Sequence, residues 1–304
     1  MNLDSCPFDL DVTLRCGQVF RWDKRGDWWY GVVGDHPLKV RQSSGLLEFA
    51  GVNETFVGRY FSLDHDLQKI GKEVGKDAHV KAALSEFWGL RIVGQPPWEC
   101  LVSFICATYK SVAAIRQMLL RLSAKFGEKA VFEGRDFHAF PTAERLAKAS
   151  LRELEDCGLG YRAKYVLETS KMVCAGDLDF NDLLRMDYLE AKEALCELPG
   201  VGSKVADCVL LFSLGKLEAF PVDVWVKRII LKYYSEHFPA GFVEKLSCQK
   251  GFSDADYERL NGFGREYFGA YAGYAQEYLY HYERLANRKI EKGLRGIEQE
   301  AKHR

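Results

Sequence analysis

The segment LPGVGSKVADC, residues 198–208, and the segment PVDVW, residues 221–225, decide the fold of this chain. Helical periodicity runs up to Glu197 and resumes to about Leu214, so the first segment joins two helices through a turn that contains glycine. The pattern predicts two helices joined by a tight turn. From the glycines alone, an ordinary corner between two helices remains the alternative.

The hairpin glycines indicate a phosphate site. Gly200 and Gly202 permit a tight turn and a close approach of the backbone to a ligand. The first amides of the second helix have no partner within the helix, so they are ready to bind an anion such as a DNA phosphate. A Walker A nucleotide loop is excluded, because Gly202 is followed by Ser203 and not by the required lysine.

Lys204 is the candidate nucleophile. It lies in the first turn of the second helix, where the helix dipole disfavours a cation by about 0.3–1 kcal/mol. This effect is small, so burial would have to supply most of the preference for the free amine that attacks an electrophile. A solvated lysine is the alternative when the residue is considered by itself.

Asp223 begins a further amphipathic helix, and Cys208 shares a helix face with Lys204. Aspartate is a good N-cap, but a capping carboxylate at a cleft can also stabilise positive charge that develops on a sugar ring. Because Cys208 follows Lys204 by one helical turn, the two side chains project from the same face. The sequence therefore predicts a nucleophile, a carboxylate and a pocket wall close together.

The chain as a whole divides into two predicted domains. Four short runs separated by turn residues predict an antiparallel meander: VFRW (19–22), WWYGVV (28–33), PLKVRQ (37–42) and LLEFA (46–50). Helical patterns at 54–61, 66–74 and 80–88 predict helices packed on this sheet, and after Gln95 the periodicity stays helical. We expect an α+β chain, with an N-terminal antiparallel sheet domain over 1–93 and an all-helical domain over 94–304.

Composition limits the function classes. The net charge is −1, so any DNA-binding surface must be local, and the basic stretch 288–304 is typical of a solvated terminal helix. The nine cysteines lack the spacings of zinc or iron–sulfur sites, so we expect no metal held by side chains. Neither a signal peptide nor an apolar run of roughly 18 residues is found, which predicts a soluble intracellular protein with reduced thiols.

Several motifs in one order resemble the 8-oxoguanine DNA glycosylases of the helix-hairpin-helix superfamily. Besides the two segments quoted first, they are CGQVFRW (16–22), PWECLVSFIC (97–106), LGYRAKY (159–165) and YAGYAQEYLY (271–280). The resemblance implies a bifunctional glycosylase and abasic-site lyase of base excision repair, which flips 8-oxoguanine out of duplex DNA. It also implies a monomer without a cofactor, in the nucleoid of a prokaryote or the nucleus of a eukaryote.

The resemblance assigns a role to each pocket residue. Lys204 attacks C1′ of the sugar and forms a Schiff base that permits β-elimination, while Asp223 stabilises the oxocarbenium-like centre. The carbonyl of Gly17 accepts a hydrogen bond from N7–H of 8-oxoguanine, a proton that guanine lacks. The remaining base contacts are Cys208 as a wall, Gln276 at the pairing edge and Tyr280 at a stacking position that is usually Phe.

The resemblance also assigns a second group of residues to the DNA around the vacated site. Tyr161 and Arg162 match residues that invade the duplex. The amides of Gly200, Gly202 and Val205 match a phosphate site, often with a monovalent cation at the backbone of 200–205.

Three positions depart from the eukaryotic members of this family. Tyr109 replaces an Asn that fills the gap in the duplex, Ala114 replaces an Arg that contacts the opposite cytosine, and Trp225 stands where a phosphate-binding His is found. Since a bidentate Arg contact supplies about 1–3 kcal/mol of discrimination, we expect a weaker preference for cytosine opposite the lesion.

Two other functions fit parts of the pattern. An endonuclease III-like enzyme for oxidised pyrimidines shares the hairpin, the lysine and the aspartate. It normally carries a C-terminal four-cysteine iron–sulfur site, whereas only Cys248 follows Cys208 here. Relatives that remove adenine lack the lysine, and those that repair alkylated bases usually lack it. A non-catalytic DNA-binding scaffold would use the hairpin for phosphate alone, which leaves Lys204 and Asp223 unexplained.

Overall fold

The computed structural model describes residues 1–286, so the basic stretch 288–304 lies outside the described residues. The strands are β1 (Asp23–Arg25), β2 (Trp28–Val33), β3 (His36–Ser43), β4 (Leu46–Ala50), β5 (Lys129–Phe132) and β6 (Arg135–His138). The helices are α1 (Leu10–Arg15), α2 (Glu54–Tyr60), α3 (Leu67–Val74), α4 (Ala78–Glu86), α5 (Pro97–Ala107), α6 (Val112–Phe126), α7 (Ala143–Ala147), α8 (Leu151–Asp156), α9 (Arg162–Ala175), α10 (Phe180–Arg185), α11 (Tyr188–Cys196), α12 (Ser203–Phe212), α13 (Val224–Tyr233), α14 (Ala240–Cys248), α15 (Asp254–Phe268) and α16 (272–286). Two 3-10 turns cover Ser235–His237 and Gly269–Tyr271. The expected fold class, an antiparallel N-terminal sheet followed by a mostly helical part, is confirmed.

The N-terminal sheet is a meander in the order β1-β2-β3-β4, and each neighbouring pair is antiparallel. Side chains alternate between the two faces of a strand, and on β3 the fully buried residues are Leu38 and Val40. They pack with Leu47 of β4 and Val57 of α2 in one apolar cluster. Burial of one sheet face against α1 and α2 therefore holds the meander together.

The predicted strand VFRW (19–22) is wrong, because pairing begins only at Asp23. The chain before β1 is buried, and its carbonyls bond to side chains instead of a neighbouring strand. Arg116 on α6 donates through Nη1 to the carbonyls of Phe20, at 3.3 Å, and Trp22, at 2.8 Å. A buried apolar run thus resembled a strand in sequence, although side-chain donors satisfy its backbone.

The prediction that the second part is all-helical is also wrong, since β5 and β6 form a hairpin between α6 and α7. Glu133 and Gly134 at its tip have φ values of 51° and 71°, as a two-residue hairpin turn requires. Val131 in the hairpin exposes 67% of its surface. Because the apolar residues do not mark a buried face, the sequence carried little strand signal here.

The two apolar cores do not follow the predicted division at residue 93. Leu67 and Leu84, on α3 and α4, belong to the large core that also contains Leu211 of α12. Only α1 and α2 pack with the sheet in the smaller core. The domain bounds 1–93 and 94–304 stay a prediction, and the helices expected over 66–74 and 80–88 contribute chiefly to the helical core.

A buried carboxylate connects the hairpin to the helices around it. Asp207 on α12 is fully buried and accepts hydrogen bonds from the hydroxyls of Tyr188 and Tyr257, both at 2.5 Å, and from Nδ2 of Asn261 at 3.0 Å. Nζ of Lys192 lies 3.3 Å from the same carboxylate. A buried charge is stable only when it is paired and its lone pairs are satisfied. The network therefore fixes α11, α12 and α15 to one another.

The same network reaches the loop that precedes α13. The Tyr257 hydroxyl accepts a hydrogen bond from the amide of Val222 at 3.3 Å, and Nδ2 of Asn261 donates to the carbonyl of Phe220 at 2.9 Å. Asp207 lies on the helix that carries Lys204, whereas Val222 directly precedes Asp223. The buried network thereby fixes the relative position of the two candidate catalytic residues.

We predict that Asp207→Ala lowers the free energy of unfolding by about 3–5 kcal/mol, because it removes the buried acceptor of two tyrosine hydroxyls and leaves the Lys192 ammonium with the half-exposed Glu258 as its remaining partner. Urea denaturation followed by circular dichroism measures the change. The control is Asp182→Ala, which removes a solvent-exposed pair with Arg185 and is expected to cost less than about 1 kcal/mol. Equal losses in the two variants would contradict a structural role for the buried network.

Candidate active site

The sequence-predicted pocket residues lie around one cavity of about 110 Å³. Lys204 and Asp223 line it together with four other residues that the sequence singled out, namely Gly17, Cys208, Gln276 and Tyr280. These residues come from α12, from the start of α13, from α16 and from the chain just after α1. The fold therefore brings together side chains that are far apart in the sequence.

Asp223 is the N-cap of α13, as its residue type suggested. Its Oδ1 accepts hydrogen bonds from the amides of Trp225 and Val226, both at 2.8 Å. Both bonds go to one oxygen, so capping leaves Oδ2 uncommitted. Burial raises the pKa of Asp223 above its ordinary value, although the amide of Val226 and the charge of Lys204 lower it. The residue is thus both a cap and a partly buried carboxyl at the cavity.

Lys204 is partly buried in the first turn of α12. Its Nζ lies 4.9 Å from the centroid of the Phe104 ring, which also lines the cavity. Phe104 in turn stacks on Phe212 with ring centroids 5.5 Å apart. An aromatic floor from α5 and α12 therefore lies beneath the amine. Phe104 was within a quoted motif but was not predicted as a site residue.

Gly17 adopts a φ of +117°, a backbone conformation that side chains other than glycine rarely accept. A Cβ at this position would also lie 2.7 Å from Nη1 of Arg284. Its neighbour Gln18 is fixed on both sides, because its Nε2 donates to the carbonyl of Arg91 at 2.7 Å and its Oε1 accepts from the amide of Val93 at 2.8 Å. Glycine is therefore required here for conformation and for space, and its position is fixed.

Two further side chains in the cavity wall stay uncharged near neutral pH. Burial raises the pKa of the Cys208 thiol to about 12 and that of the Tyr280 phenol to about 12. Nη1 of Arg284 lies 3.3 Å from the Tyr280 hydroxyl, and Nη2 donates to the carbonyl of Arg15 at 2.7 Å. Arg284 thus orients the Tyr280 ring and connects α16 to the end of α1.

Glu277 is an acidic residue of the cavity that the sequence reasoning missed. It exposes only 4% of its surface, and burial raises the pKa of its carboxyl to about 7. The available signal was an acidic residue directly after Gln276 in a helix that is otherwise rich in aromatic residues. The cavity residues that were likewise not predicted include Phe20, Phe104, Lys110, Val112, Ile115 and Phe212.

The hairpin has the geometry that its glycines predicted. Gly200 has a φ of +80°, and a Cβ there would lie 2.7 Å from the Tyr165 ring. Gly202 is the N-cap of α12 and is exposed, so the helix begins without a capping side chain and its first amides face outward. Val205, the third residue of the helix, has a buried side chain. This arrangement can bind an anion through backbone amides and the helix dipole.

The rim of the cavity exposes two tyrosines but not the predicted arginine. Tyr109 exposes 90% of its surface and Tyr161 exposes 58%. Arg162 exposes only 3%, since its guanidinium lies 4.3 Å from the Tyr161 ring centroid and donates to the carbonyl of Thr108. Arg162 is thus buried in this structure, and its expected role in the duplex stays a prediction. Arg162 connects the Tyr161 turn to the Tyr109 turn.

Trp225 lies in the first turn of α13, beside the Asp223 cap, and is partly buried. The guanidinium of the exposed Arg228 lies 5.2 Å from its ring centroid. The pair places an aromatic ring and a cation beside the Asp223 cap. The sequence predicted the Trp225 position but not its arginine partner.

Among residues 1–286, the His, Cys, Asp and Glu side chains form no group of three or more that could hold a metal ion. Nowhere in this described part of the chain does a helix combine the length and apolar character that crossing a bilayer requires.

Family models identify the class of protein that this fold and cavity define. Residues 1–101 match the N-terminal domain of 8-oxoguanine DNA glycosylase, and residues 102–239 match the HhH-GPD superfamily of base excision DNA repair proteins. The second match contains the hairpin, Lys204 and Asp223. The chain is therefore a helix-hairpin-helix DNA glycosylase.

Individual relatives narrow the class to one family. The chain is 31% identical to the N-glycosylase/DNA lyase OGG1 of Arabidopsis thaliana, over 92% of this chain and 78% of that protein. It is also 31% identical to the N-glycosylase/DNA lyase of Saccharomyces cerevisiae, over 89% of this chain and 82% of that protein. A solved structure of Clostridium acetobutylicum 8-oxoguanine glycosylase/lyase, in complex with double-stranded DNA that has cytosine opposite 8-oxoG, superimposes with a TM-score of 0.82 at 30% identity and covers 93% of this chain and 97% of its own. The chain belongs to the 8-oxoguanine DNA glycosylase family of N-glycosylase/DNA lyases.

Substitutions of Asp223 can distinguish its role as a helix cap from the role of its negative charge. Asparagine caps a helix about as well as aspartate, so Asp223→Asn should retain the free energy of unfolding to within about 0.5 kcal/mol. Loss of the carboxylate should slow base release by about a hundredfold or more. Single-turnover excision and urea denaturation measure the two effects. Asp223→Ala should show the same rate loss, and its free energy of unfolding should fall by a further amount of about 0.5–2 kcal/mol. If Asp223→Asn excised the base at the wild-type rate, Asp223 would be only a helix cap.

Proposed function

We propose that this enzyme excises 8-oxoguanine from duplex DNA and then cleaves the strand at the abasic site, with Lys204 as the nucleophile and Asp223 as its carboxylate partner. The observation that carries the proposal is the convergence of both residues with the predicted base contacts on a single cavity. Lys204 attacks C1′, the bond from C1′ to the base breaks, and the base leaves with the bonding electrons. The C1′–O4′ bond of the sugar ring then breaks and one proton passes from Nζ to O4′, which leaves the C1′=Nζ Schiff base. This Schiff base acidifies the neighbouring C2′–H bond, and loss of that proton expels the 3′ phosphate by β-elimination.

The base contacts in this proposal follow from the cavity walls. Gly17 contributes a carbonyl acceptor for N7–H, which is present in 8-oxoguanine and absent from guanine, so guanine would present acceptor to acceptor. The Cys208 and Tyr280 side chains are walls of the cavity that would contact the base, and Gln276 would read its pairing edge. Oε1 of Gln276 is buried and has no hydrogen-bond partner among residues 1–286, so it is available to a donor on the base.

In this proposal, aromatic side chains and backbone amides at a helix N-terminus contact the DNA. Removing a nucleotide from the stack costs a few kcal/mol, and aromatic side chains that stack in its place offset this cost. The exposed rings of Tyr109 and Tyr161 are suited to that role. The amides of Gly200, Gly202 and Val205, together with Trp225, would hold the backbone phosphates.

A monovalent cation at the hairpin backbone, residues 200–205, is compatible with its carbonyls. The carbonyls of Gly202 and of Leu198 and Pro199, which directly precede this range, each accept one hydrogen bond within the protein. A carbonyl oxygen has a second lone pair, so these groups retain the capacity to coordinate an ion. The cation would help neutralise a bound phosphate, and no chemical step depends on it.

Borohydride trapping tests the nucleophile. Wild-type enzyme incubated with an 8-oxoguanine duplex and borohydride should form a covalent protein–DNA adduct, because hydride reduces the Schiff base to a stable amine. Lys204→Gln should form none, and electrophoresis of labelled DNA measures both yields. Retention of DNA binding by the variant, measured by fluorescence anisotropy, is the control for folding. An unchanged adduct yield in Lys204→Gln would remove Lys204 from this role.

The opposite-base preference tests the DNA side of the proposal. Ala114 offers no guanidinium to the base opposite the lesion, so the discrimination of about 1–3 kcal/mol that a bidentate Arg supplies should be missing. Excision rates from four duplexes that differ only in the base opposite 8-oxoguanine measure the preference. The four rates should agree within about a hundredfold, which corresponds to roughly 2.7 kcal/mol. A larger preference for cytosine would contradict the expectation.

A further inference from the structure

Glu277 is a buried acid in the cavity for which the proposed reaction has given no role. Its side chain lines the same cavity as Lys204 and Asp223. Its Oε2 is fully buried and has no hydrogen-bond partner among residues 1–286. An unpartnered buried oxygen is costly to the fold, so its presence beside the nucleophile calls for a functional explanation.

Titratable and charged groups face Glu277 from every side. Cys16, after α1, is hydrogen-bonded to its side chain, and Arg284 acts on it from the same helix. Lys204 and Cys208 act from α12, Asp223 from the start of α13, and Tyr280 from α16. Burial raises the pKa of the Glu277 carboxyl to about 7, whereas Cys16, Arg284 and Lys204 lower it and Asp223 raises it. Near neutral pH the carboxyl is therefore distributed between its two protonation states.

Asp223 is a poorer proton acceptor than Glu277 for a geometric reason. Its Oδ1 holds two backbone amides of α13, and hydrogen bonds from amides favour the charged form of a carboxylate. The Oε2 of Glu277 has no such donor among the described residues. A proton that leaves the lysine is therefore better accommodated on Glu277, and Asp223 remains available as the negative partner of the sugar.

We propose that Glu277 is a catalytic proton acceptor that takes a proton from the Lys204 ammonium before the nucleotide enters the cavity. The N–H bond of Lys204 breaks, its electron pair stays on Nζ, and the proton forms an O–H bond on the Glu277 carboxylate, directly or through one water. An ion pair becomes a neutral amine and a neutral acid, which a low-dielectric cavity favours. The free lone pair of Nζ then forms the bond to C1′. This inference rests on the proposed function, because it assigns Lys204 as the nucleophile.

The direction of the pH dependence follows from the reactive form. Only the carboxylate form of Glu277 accepts a proton, so formation of the Schiff base should accelerate as pH rises through about 7 and then level off. Below that pH the acid is already protonated and cannot discharge the lysine. A structural role for Glu277 would leave no such inflection in the rate.

The test uses the full-length enzyme and a duplex with a preformed abasic site, so that base recognition does not enter. The rate of borohydride-trapped adduct is measured at pH values from about 5 to 9, under single-turnover conditions. Wild type should show the inflection near pH 7, while Glu277→Gln should lose it and react about a hundredfold more slowly above it. Glu277→Asp should retain an inflection at a reduced rate. The matched control is Glu283→Gln, which alters another buried glutamate of α16, one paired with Lys232, and should keep the wild-type profile.

The outcomes separate this inference from the proposed function. If the wild type forms no adduct, the proposed function fails. If it forms adduct and Glu277→Gln shows the wild-type rate and inflection, only the role of Glu277 is overturned. Affinity for a tetrahydrofuran abasic analogue should be unchanged in Glu277→Gln, and its melting temperature at pH 8 should equal or exceed that of the wild type, since the substitution removes a charge that burial disfavours. Should that variant fail to fold, an unaltered profile in Glu277→Asp overturns the proposal instead.

Discussion

The position of the active site depends on one buried carboxylate, Asp207. It lies on the helix that carries Lys204, and through Tyr257 and Asn261 it holds the loop that leads to Asp223. Without these bonds the loop and the helix would be connected by apolar packing, which fixes a position less specifically than directional hydrogen bonds do. A nucleophile and its charged partner must keep their geometry to within a fraction of an ångström to be effective. The buried network supplies that constraint from the protein interior, where Asp207 is fully buried.

Burial in the cavity favours the uncharged form of its acidic groups. Burial raises the pKa of Asp223, Glu277, Cys208 and Tyr280, so the charges that persist are few and close together. In such surroundings electrostatic interactions are stronger than in water. The Phe104 ring lies beneath Lys204. Its face attracts the ammonium form of the side chain, and a neutral amine does not depend on that attraction. Desolvation therefore acts on several acidic groups around Lys204 at the same time.

The sequence predicted the parts of this site whose function depends on backbone geometry or on motif order. Gly17 and Gly200 were predictable because only glycine suits their conformation and their crowded surroundings. Arg162 was not, since whether an arginine points outward or donates to a carbonyl such as that of Thr108 depends on tertiary packing. Glu277 was missed because helical periodicity does not report which buried face adjoins a cavity. The β5–β6 hairpin and the start of β1 were missed because the local sequence pattern does not show which groups form hydrogen bonds with the backbone.

The rim explains how a chain with a net charge of −1 can bind a polyanion. Exposed aromatic rings such as those of Tyr109 and Tyr161 are unfavourable in water unless a partner covers them. Stacked bases can do so, and stacking does not require a basic surface. The hairpin contributes amides and a helix dipole, which attract phosphate without adding to the formal charge. Arg162 connects the turns that carry both tyrosines, and a turn that is already ordered loses less conformational entropy when a partner binds.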